Sequence, residues 1–424
     1  MQREGQVRIP SGCAISGMFA RDGSRLCGEN IIKSIATMHD RSNGLGGGFA
    51  GYGIYPEYKD YYAFHIFYDN KAAKLACEEF LGEHFDIINL SKIPTRKHPR
   101  ITDEPYIWRY FVTPLHTRLT DSQLDEKEYT VRCVIRINTR IKGAYVFSSG
   151  KNMGVFKAVG FPEDVGEFYR LEEYSGYCWT AHGRYPTNTP GWWGGAHPFA
   201  MLDYSIVHNG EISSYDANRR YIEMFGYQCT LLTDTEVITY MIDYLGRGQG
   251  LTFEEIANVI AAPFWSTIDR MTAEKKAKFT YLRNAFASML ITGPFSILLG
   301  FEGGMMALND RLKLRSMVAA TKGDMVYVAS EECAIRRIEP EPDTIWAPKG
   351  GEPVIVTLRK SEGKQEPEKQ AGLFSGKQLP LIFPLPASLT APAYFVWSFP
   401  WQSARHEFFP HGTVRLAVGN CHAR

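Results

Sequence analysis

Three separated stretches of the chain carry side chains that could do chemistry together. Near the start, Gly12-Cys13-Ala14-Ile15-Ser16-Gly17 sets a thiol among small residues. Residues 178–212, CWTAHGRYPTNTPGWWGGAHPFAMLDYSIVHNGEI, place His182, Arg184, His197, His208, Asn209, Gly210 and Glu211 among glycines, prolines and tryptophans. Thr233-Asp234-Thr235-Glu236 then opens an apolar-periodic segment. Amide cleavage needs a nucleophile, a base, donors for an oxyanion and groups that place the substrate. Cys13 offers an intrinsically strong nucleophile, and the Asn209 side-chain NH₂ beside the Gly210 N–H makes a suitable oxyanion pair. Arg184 has the planar fork that matches a carboxylate, and Asp234 the charge that suits an ammonium. Taken singly, each has a plainer reading. Cys13 could be a small buried hydrophobe, Asn209-Gly210 a type I′ hairpin turn, Arg184 an internal ion-pair partner, and Asp234 a helix-dipole residue.

The ordered set decides between these readings. Cys-x-Ile-x-Gly at Cys13, then HGRYPT, HNGEI and TDTEV, resemble the class II glutamine amidotransferases, which use an N-terminal cysteine nucleophile on the Ntn-hydrolase fold. The later stretches GPFSILLGF, ALNDRLKLRSM and MVYVASEECAI resemble that family's second sheet, so the likeness runs from residue 13 to about 340. It implies that Cys13 attacks the γ-amide of glutamine, releases ammonia and leaves a γ-glutamyl thioester for water. It also implies that Arg184 and Asp234 hold the α-carboxylate and α-ammonium of glutamine. The free α-amine of the cysteine, with a pKa near 8, serves as base in the family, which makes residues 1–12 a candidate propeptide. His182 and His208 stand at positions that are mostly structural there. Arg41 falls in the family's arginine position, but Met38-His39-Asp40-Arg41-Ser42 departs from the pattern and leaves Arg41 outside the catalytic set.

Composition sets wide bounds. The 424 residues exceed a usual single-domain length, so one large domain or two are expected. Basic residues number 47 against 46 acidic, which gives no electrostatic footprint for nucleic acid or anionic lipid. The eight cysteines have no paired C-x-x-C spacing for zinc or a redox dithiol, and read as reduced thiols. A zinc site from Cys178, His182, His197 and His208 matches no usual spacing, so no metal is expected. The N-terminus lacks the apolar core of a secretory signal, and the expected location is cytoplasmic.

The reactive groups need elements to hold them. Leu26, Ile31, Ile32, Ile35 and Met38 suit one face of a helix within 25–40. Residues 61–68 read as a strand, and Ala73, Cys77, Phe80, Leu81 and His84 as a helix face with a packed histidine. Tyr129, Val131, Cys133, Ile135 and Ile137 alternate as a half-buried strand would. Residues 215–225 and 275–290 read as helices, and Thr233/Glu236 and Thr252/Glu255 carry capping-box spacing. Short apolar runs between 294 and 358 read as strands. The expected fold is α+β, a four-layer α-β-β-α sandwich over 13–360 with an insertion at about 57–172. Beyond it lie a charged linker and a tail without charge over 379–403. Prolines at 380, 384, 386, 392 and 400 break any membrane helix there, and the composition fits a partner-docking tail or a shifted reading frame.

Released ammonia needs an acceptor. The chain has no pyrophosphatase loop, no phosphoribosyl-binding stretch and no room for an isomerase domain, so the acceptor is expected on another polypeptide. The long spacing between Cys13 and HGRYPT is similar to glutamate-synthase-type amidotransferases. That likeness implies a partner synthase subunit carrying FMN and an iron–sulfur cluster, and no cofactor in this chain. The alternatives are an amidophosphoribosyltransferase-like or other amidohydrolase of the same fold, and a catalytically silent glutamine-binding regulatory subunit.

Overall fold

Strand sequences such as AISGMFA and FSILLGF do not alternate polar with apolar, and every residue in both is buried. Strands of that kind must be covered on both faces. The computed structural model describes residues 12–186 and 191–359 and supplies both covers. A seven-stranded antiparallel sheet runs in the order Thr344–Trp346, Val318–Lys322, Met325–Ala329, Ala14–Ala20, Cys178–Gly183, Gly47–Tyr52 and Met153–Ala158. A five-stranded antiparallel sheet runs Phe199–Met201, Tyr204–Gly210, Phe295–Phe301, Gly304–Asn309 and Val354–Thr357. Side chains alternate across a strand, and the second sheet divides its apolar residues accordingly. Val207, Leu298 and Ala307 join Ile15, Met18 and Phe49 in one core, while Ile206, Ile297, Leu299 and Leu308 join the helix residues Val237, Met241 and Ile256 in another. The sheets approach closely at Gly17, where a Cβ would come 3.0 Å from both Leu298 Cδ1 and Met305 Sδ.

Helices close the outside. Gly28–Ala36, Pro162–Phe168 and Glu332–Arg336 cover the seven-stranded sheet through Ile31, Ile35, Val165, Phe168 and Ile335. Asp234–Asp243 lies on the five-stranded sheet, with Phe253–Ile260 in the same layer. This is the four-layer α-β-β-α order expected from the sequence. No helix among the described residues is long and apolar enough to cross a membrane.

A further four-stranded sheet, in the order Phe85–Lys92, Tyr106–Pro114, Tyr62–Tyr68 and Ala144–Ser148, is carried between the strands Gly47–Tyr52 and Met153–Ala158. Helix Lys71–His84 packs on it, and His84 Nδ1 meets the Tyr129 hydroxyl at 2.5 Å. Its rings back the Trp192-Trp193 turn beside the candidate site, with Phe67 and Trp193 centroids 5.7 Å apart and Tyr145 and Trp192 6.1 Å apart.

Two local expectations are corrected, and one plainer reading is set aside. The alternating run Tyr129 to Ile137 is not a strand but part of helix Glu126–Arg140, started by the Asp125 side chain accepting from Glu128 N at 2.9 Å. Tyr129, Cys133 and Ile137 are spaced for a helix as well as for a strand, and Thr130 and Val134 complete the buried helical face. Asn209-Gly210 is not a hairpin turn, because both residues end a strand and pair with Ser296 and Phe295. Thr252 and Glu255 do form a reciprocal capping box, but Thr233 does not cap its helix. Glu236 reaches instead to the N–H groups of Thr230 at 3.2 Å and Leu231 at 2.9 Å. The candidate propeptide before Gly12 and the linker and tail from residue 360 lie outside the described residues.

Candidate active site

Register brings the first two groups together. Ala14 lies opposite Gly183, so the residues just beyond that pair, Cys13 and Arg184, must leave the sheet side by side. The Tyr185 N–H then points at Cys13 Sγ from 3.3 Å. The five-stranded sheet delivers Asn209 and Gly210 at the end of Tyr204–Gly210, and Asp234 opens the helix that covers that sheet. Ser330 ties the two sheets at this edge. Its hydroxyl accepts from Ile15 N at 3.1 Å and from Asn209 Nδ2 at 3.4 Å. Cys13, Arg184, Asn209, Gly210 and Asp234, all named from the sequence, line one cavity of about 740 Å³, together with Arg315. Exposed Trp192 stands at its wall.

Gly210 is required where it stands. Its φ is +154°, and a Cβ would come 2.1 Å from Pro294 O, closer than real atoms approach. Only glycine keeps its backbone in line with the Asn209 side chain.

The electrostatics separate the groups by task. Burial pushes the Cys13 thiol up, the Tyr185 N–H, Arg184 and Arg315 pull it down, Asp234 pushes it up, and the net shift is upward. A thiol in that state stays protonated at neutral pH and needs a base at hand. Burial also pushes the Asp234 carboxyl up, but His208, the Ile212 N–H and the Thr235 hydroxyl outweigh it and hold it below the usual range. It remains an anion beside the cavity.

The histidines form a layer behind these groups. The His182 and His197 rings stack with centroids 4.0 Å apart, and His182 Nε2 donates to His208 O at 2.9 Å. His208 Nδ1 lies 3.2 Å from Thr235 Oγ1 and 3.4 Å from Asp234 Oδ1. Burial pushes the His182 pKa down to about 3, and His197 well below its ordinary value. The sign of the pH effect follows. In the unfolded chain these rings take up protons below about pH 6.5, while in the fold they stay neutral, so the stability they contribute is present above that pH and lost as pH falls toward 3. Thermal melts from pH 7 to 5 should show the loss, at about 1.4 kcal/mol per pH unit from His182, and His182→Asn should flatten the slope. An equal slope in that variant would contradict the assignment. Among the described residues no cluster of three or more His, Cys, Asp and Glu is arranged to hold a metal ion.

Three contributors escaped the sequence. Arg41 Nε donates to Cys13 O at 3.2 Å, and its Nη1 pairs with Glu331 Oε1 at 2.8 Å. The residues around Arg41 depart from the family pattern, and the position of Arg41 itself in that pattern is the signal that points to it. Ser330 and Glu331 sit in the Ala-Ser-Glu run noted as family-like, without a role being read from it.

The model of the family described as "Glutamine amidotransferases class-II" matches residues 69–346. The chain belongs to the class II glutamine amidotransferases. The matched span holds Arg184, Asn209, Gly210 and Asp234, and begins after Cys13. The amidotransferase is 50% identical over 353 residues to an "Uncharacterized protein" of Archaeoglobus fulgidus, covering 82% of this chain and 93% of that one. It is 26% identical over 355 residues to the "Glutamine amidotransferase-like protein GlxB" of Rhizobium meliloti, covering 79% and 97%. With the "Amidophosphoribosyltransferase" of Methanocaldococcus jannaschii it shares 25% over 198 residues, 46% of this chain but only 36% of that protein. Among solved structures it is similar to the glutamine phosphoribosylpyrophosphate amidotransferase of B. subtilis, at TM-score 0.41 and 14% identity, over 81% of this chain and 47% of that one.

Proposed function

We propose that the amidotransferase hydrolyses glutamine through a γ-glutamyl thioester on Cys13 and passes the ammonia to a separate synthase subunit of the glutamate-synthase type. The observation that carries this reading is the convergence of Cys13, Arg184, Asn209-Gly210 and Asp234 on one cavity from four separate segments.

In this mechanism residues 1–12 are removed and the α-amine of Cys13 takes the thiol proton. Sγ attacks the γ-carbonyl carbon, and the oxyanion is held by the Asn209 NH₂ and the Gly210 N–H. The α-amine returns its proton to the leaving nitrogen, ammonia departs, and water cleaves the thioester to glutamate and free thiol. Arg184 and Asp234 hold the two charges of the amino-acid head, which selects glutamine over simple amides. Arg184→Ala should therefore raise KM for glutamine roughly 30-fold or more, in the range lost when a charged hydrogen-bond partner is removed, with a smaller change in kcat. Steady-state kinetics decide this, and an unchanged KM would remove Arg184 from the substrate site.

A separate acceptor subunit is in keeping with the two relatives that align over 93% and 97% of their own lengths, neither of which has much length outside the aligned part. On the glutamate-synthase reading that subunit carries FMN and an iron–sulfur cluster. Acid-quenching the full chain during turnover and mapping the adduct by mass spectrometry tests the mechanism. A γ-glutamyl group on the Cys13 peptide is expected, and ammonia release with no adduct on Cys13 would overturn it.

A further inference from the structure

Cys13 is surrounded by charges that differ in how they are compensated. Arg41 is paired with Glu331 at 2.8 Å. Arg184 and Asp234 lie on the cavity wall with opposite charge, and Glu211 lines the same cavity. Arg315 stands apart. It forms no ion pair among the described residues, and its buried Nε meets no acceptor there.

Its position is specific. Arg315 Nη1 comes 3.8 Å from the point where a side chain on Gly12 would begin, with Arg41 Nη2 at 3.9 Å from the same point. Gly12 directly precedes the Cys13 nitrogen, so both guanidinium groups stand beside the residue whose removal would free the α-amine. The loop that carries Arg315 is firmly held. The Asp310 carboxylate accepts from Leu312 N at 2.9 Å, Leu314 N at 2.9 Å and Phe295 N at 3.3 Å, and Lys313 N donates to Asp310 O at 2.9 Å. A cation carried on so well-tied a loop, with no ion-pair partner among the described residues, acts on whatever ionises beside it.

We infer that Arg315 is a positioning residue for the catalytic base, its uncompensated guanidinium keeping the freed α-amine of Cys13 in the neutral form that accepts the thiol proton. This rests on the reading of Cys13 as an N-terminal nucleophile. An ordinary α-amine with pKa near 8 is only about one-tenth neutral at pH 7. A like charge nearby, partly screened, would lower that pKa by about one unit and make roughly half of it neutral. Arg41 contributes less because Glu331 offsets it. Arg184, Asp234 and Glu211 line the same cavity as Arg315, and on the proposed reading the charges of glutamine answer the first two.

The test is the pH profile of kcat/KM for glutamine hydrolysis, measured on the full chain that begins at Cys13. Arg315→Gln should move the acidic limb up by about one pH unit and lower activity at pH 7 about fivefold. The plateau at high pH and KM should change little, and Arg315→Lys should restore the limb. An acidic limb unmoved in Arg315→Gln, or a raised KM in its place, would overturn the inference. Should Arg315→Gln fail to fold, salt supplies a second reading on the unaltered enzyme. Screening of one uncompensated cation shifts the acidic limb toward 8 as ionic strength rises, and a limb that stays in place overturns the inference equally. An enzyme without glutaminase activity at any pH would be a different failure, one of the nucleophile reading itself, and it takes this inference down with it.

Discussion

Replacing Cys13 with alanine is expected to abolish ammonia release from glutamine while leaving glutamine bound. In the proposed mechanism the thiol forms the covalent bond, and the loss of a nucleophile that acts as a unit with its base is on the order of 10⁶ in turnover. Binding rests on other residues. Arg184, just past the strand Cys178–Gly183, and Asp234, at the start of the helix Asp234–Asp243, line the cavity from their own elements. Glutamine should therefore still raise the melting temperature of Cys13→Ala, as any ligand of the folded state does. Ammonia release within tenfold of the unaltered enzyme would show that another group attacks the amide.

Asn209→Ala should lower kcat for glutamine by about 10² to 10³, with KM little changed. The Asn209 side chain is buried and its Nδ2 donates to Ser330 Oγ at 3.4 Å, so the amide is fixed in place before charge develops. A fixed donor of this kind strengthens its bond only in the transition state, which is why the loss falls on turnover. Fold loss is a competing cause of inactivity, and it is separated by the melt. Asn209→Ala removes a polar side chain at a strand end but no core packing. A variant that melts normally and turns over normally would assign the oxyanion to some other pair of donors.

Much of the site was legible because its chemistry lies in short runs. Cys13, Arg184, Asn209, Gly210 and Asp234 each sit in a distinct string of residues, and their order along the chain carries more information than any one of them. The layers were legible in the order of the segments, since strand-like runs, then helical ones, then strand-like runs again suit two packed sheets flanked by helices. What stayed hidden depends on contacts the sequence cannot display. Arg41 acts on the Cys13 carbonyl through its own side chain and is oriented by Glu331, 290 positions away. Ser330 joins Ile15 to Asn209 across two sheets. Helix Glu126–Arg140 was misread for a different reason. Its apolar residues fit both periods, and Asp125, the residue that breaks the tie by capping the helix, carries no apolar signal. Glu236 shows the converse, a capping-box spacing whose carboxylate is drawn to the backbone of Thr230 and Leu231 instead.

The central claim is that Cys13 works as an N-terminal nucleophile, and one measurement reaches it directly. The intact mass and N-terminal residue of the natively expressed protein would be determined on the same sample assayed for ammonia release from glutamine. A chain that begins at Cys13 and releases ammonia is the predicted result. A chain that retains the residues before Cys13 and still releases ammonia would contradict the claim, because no α-amine would then be free beside the thiol.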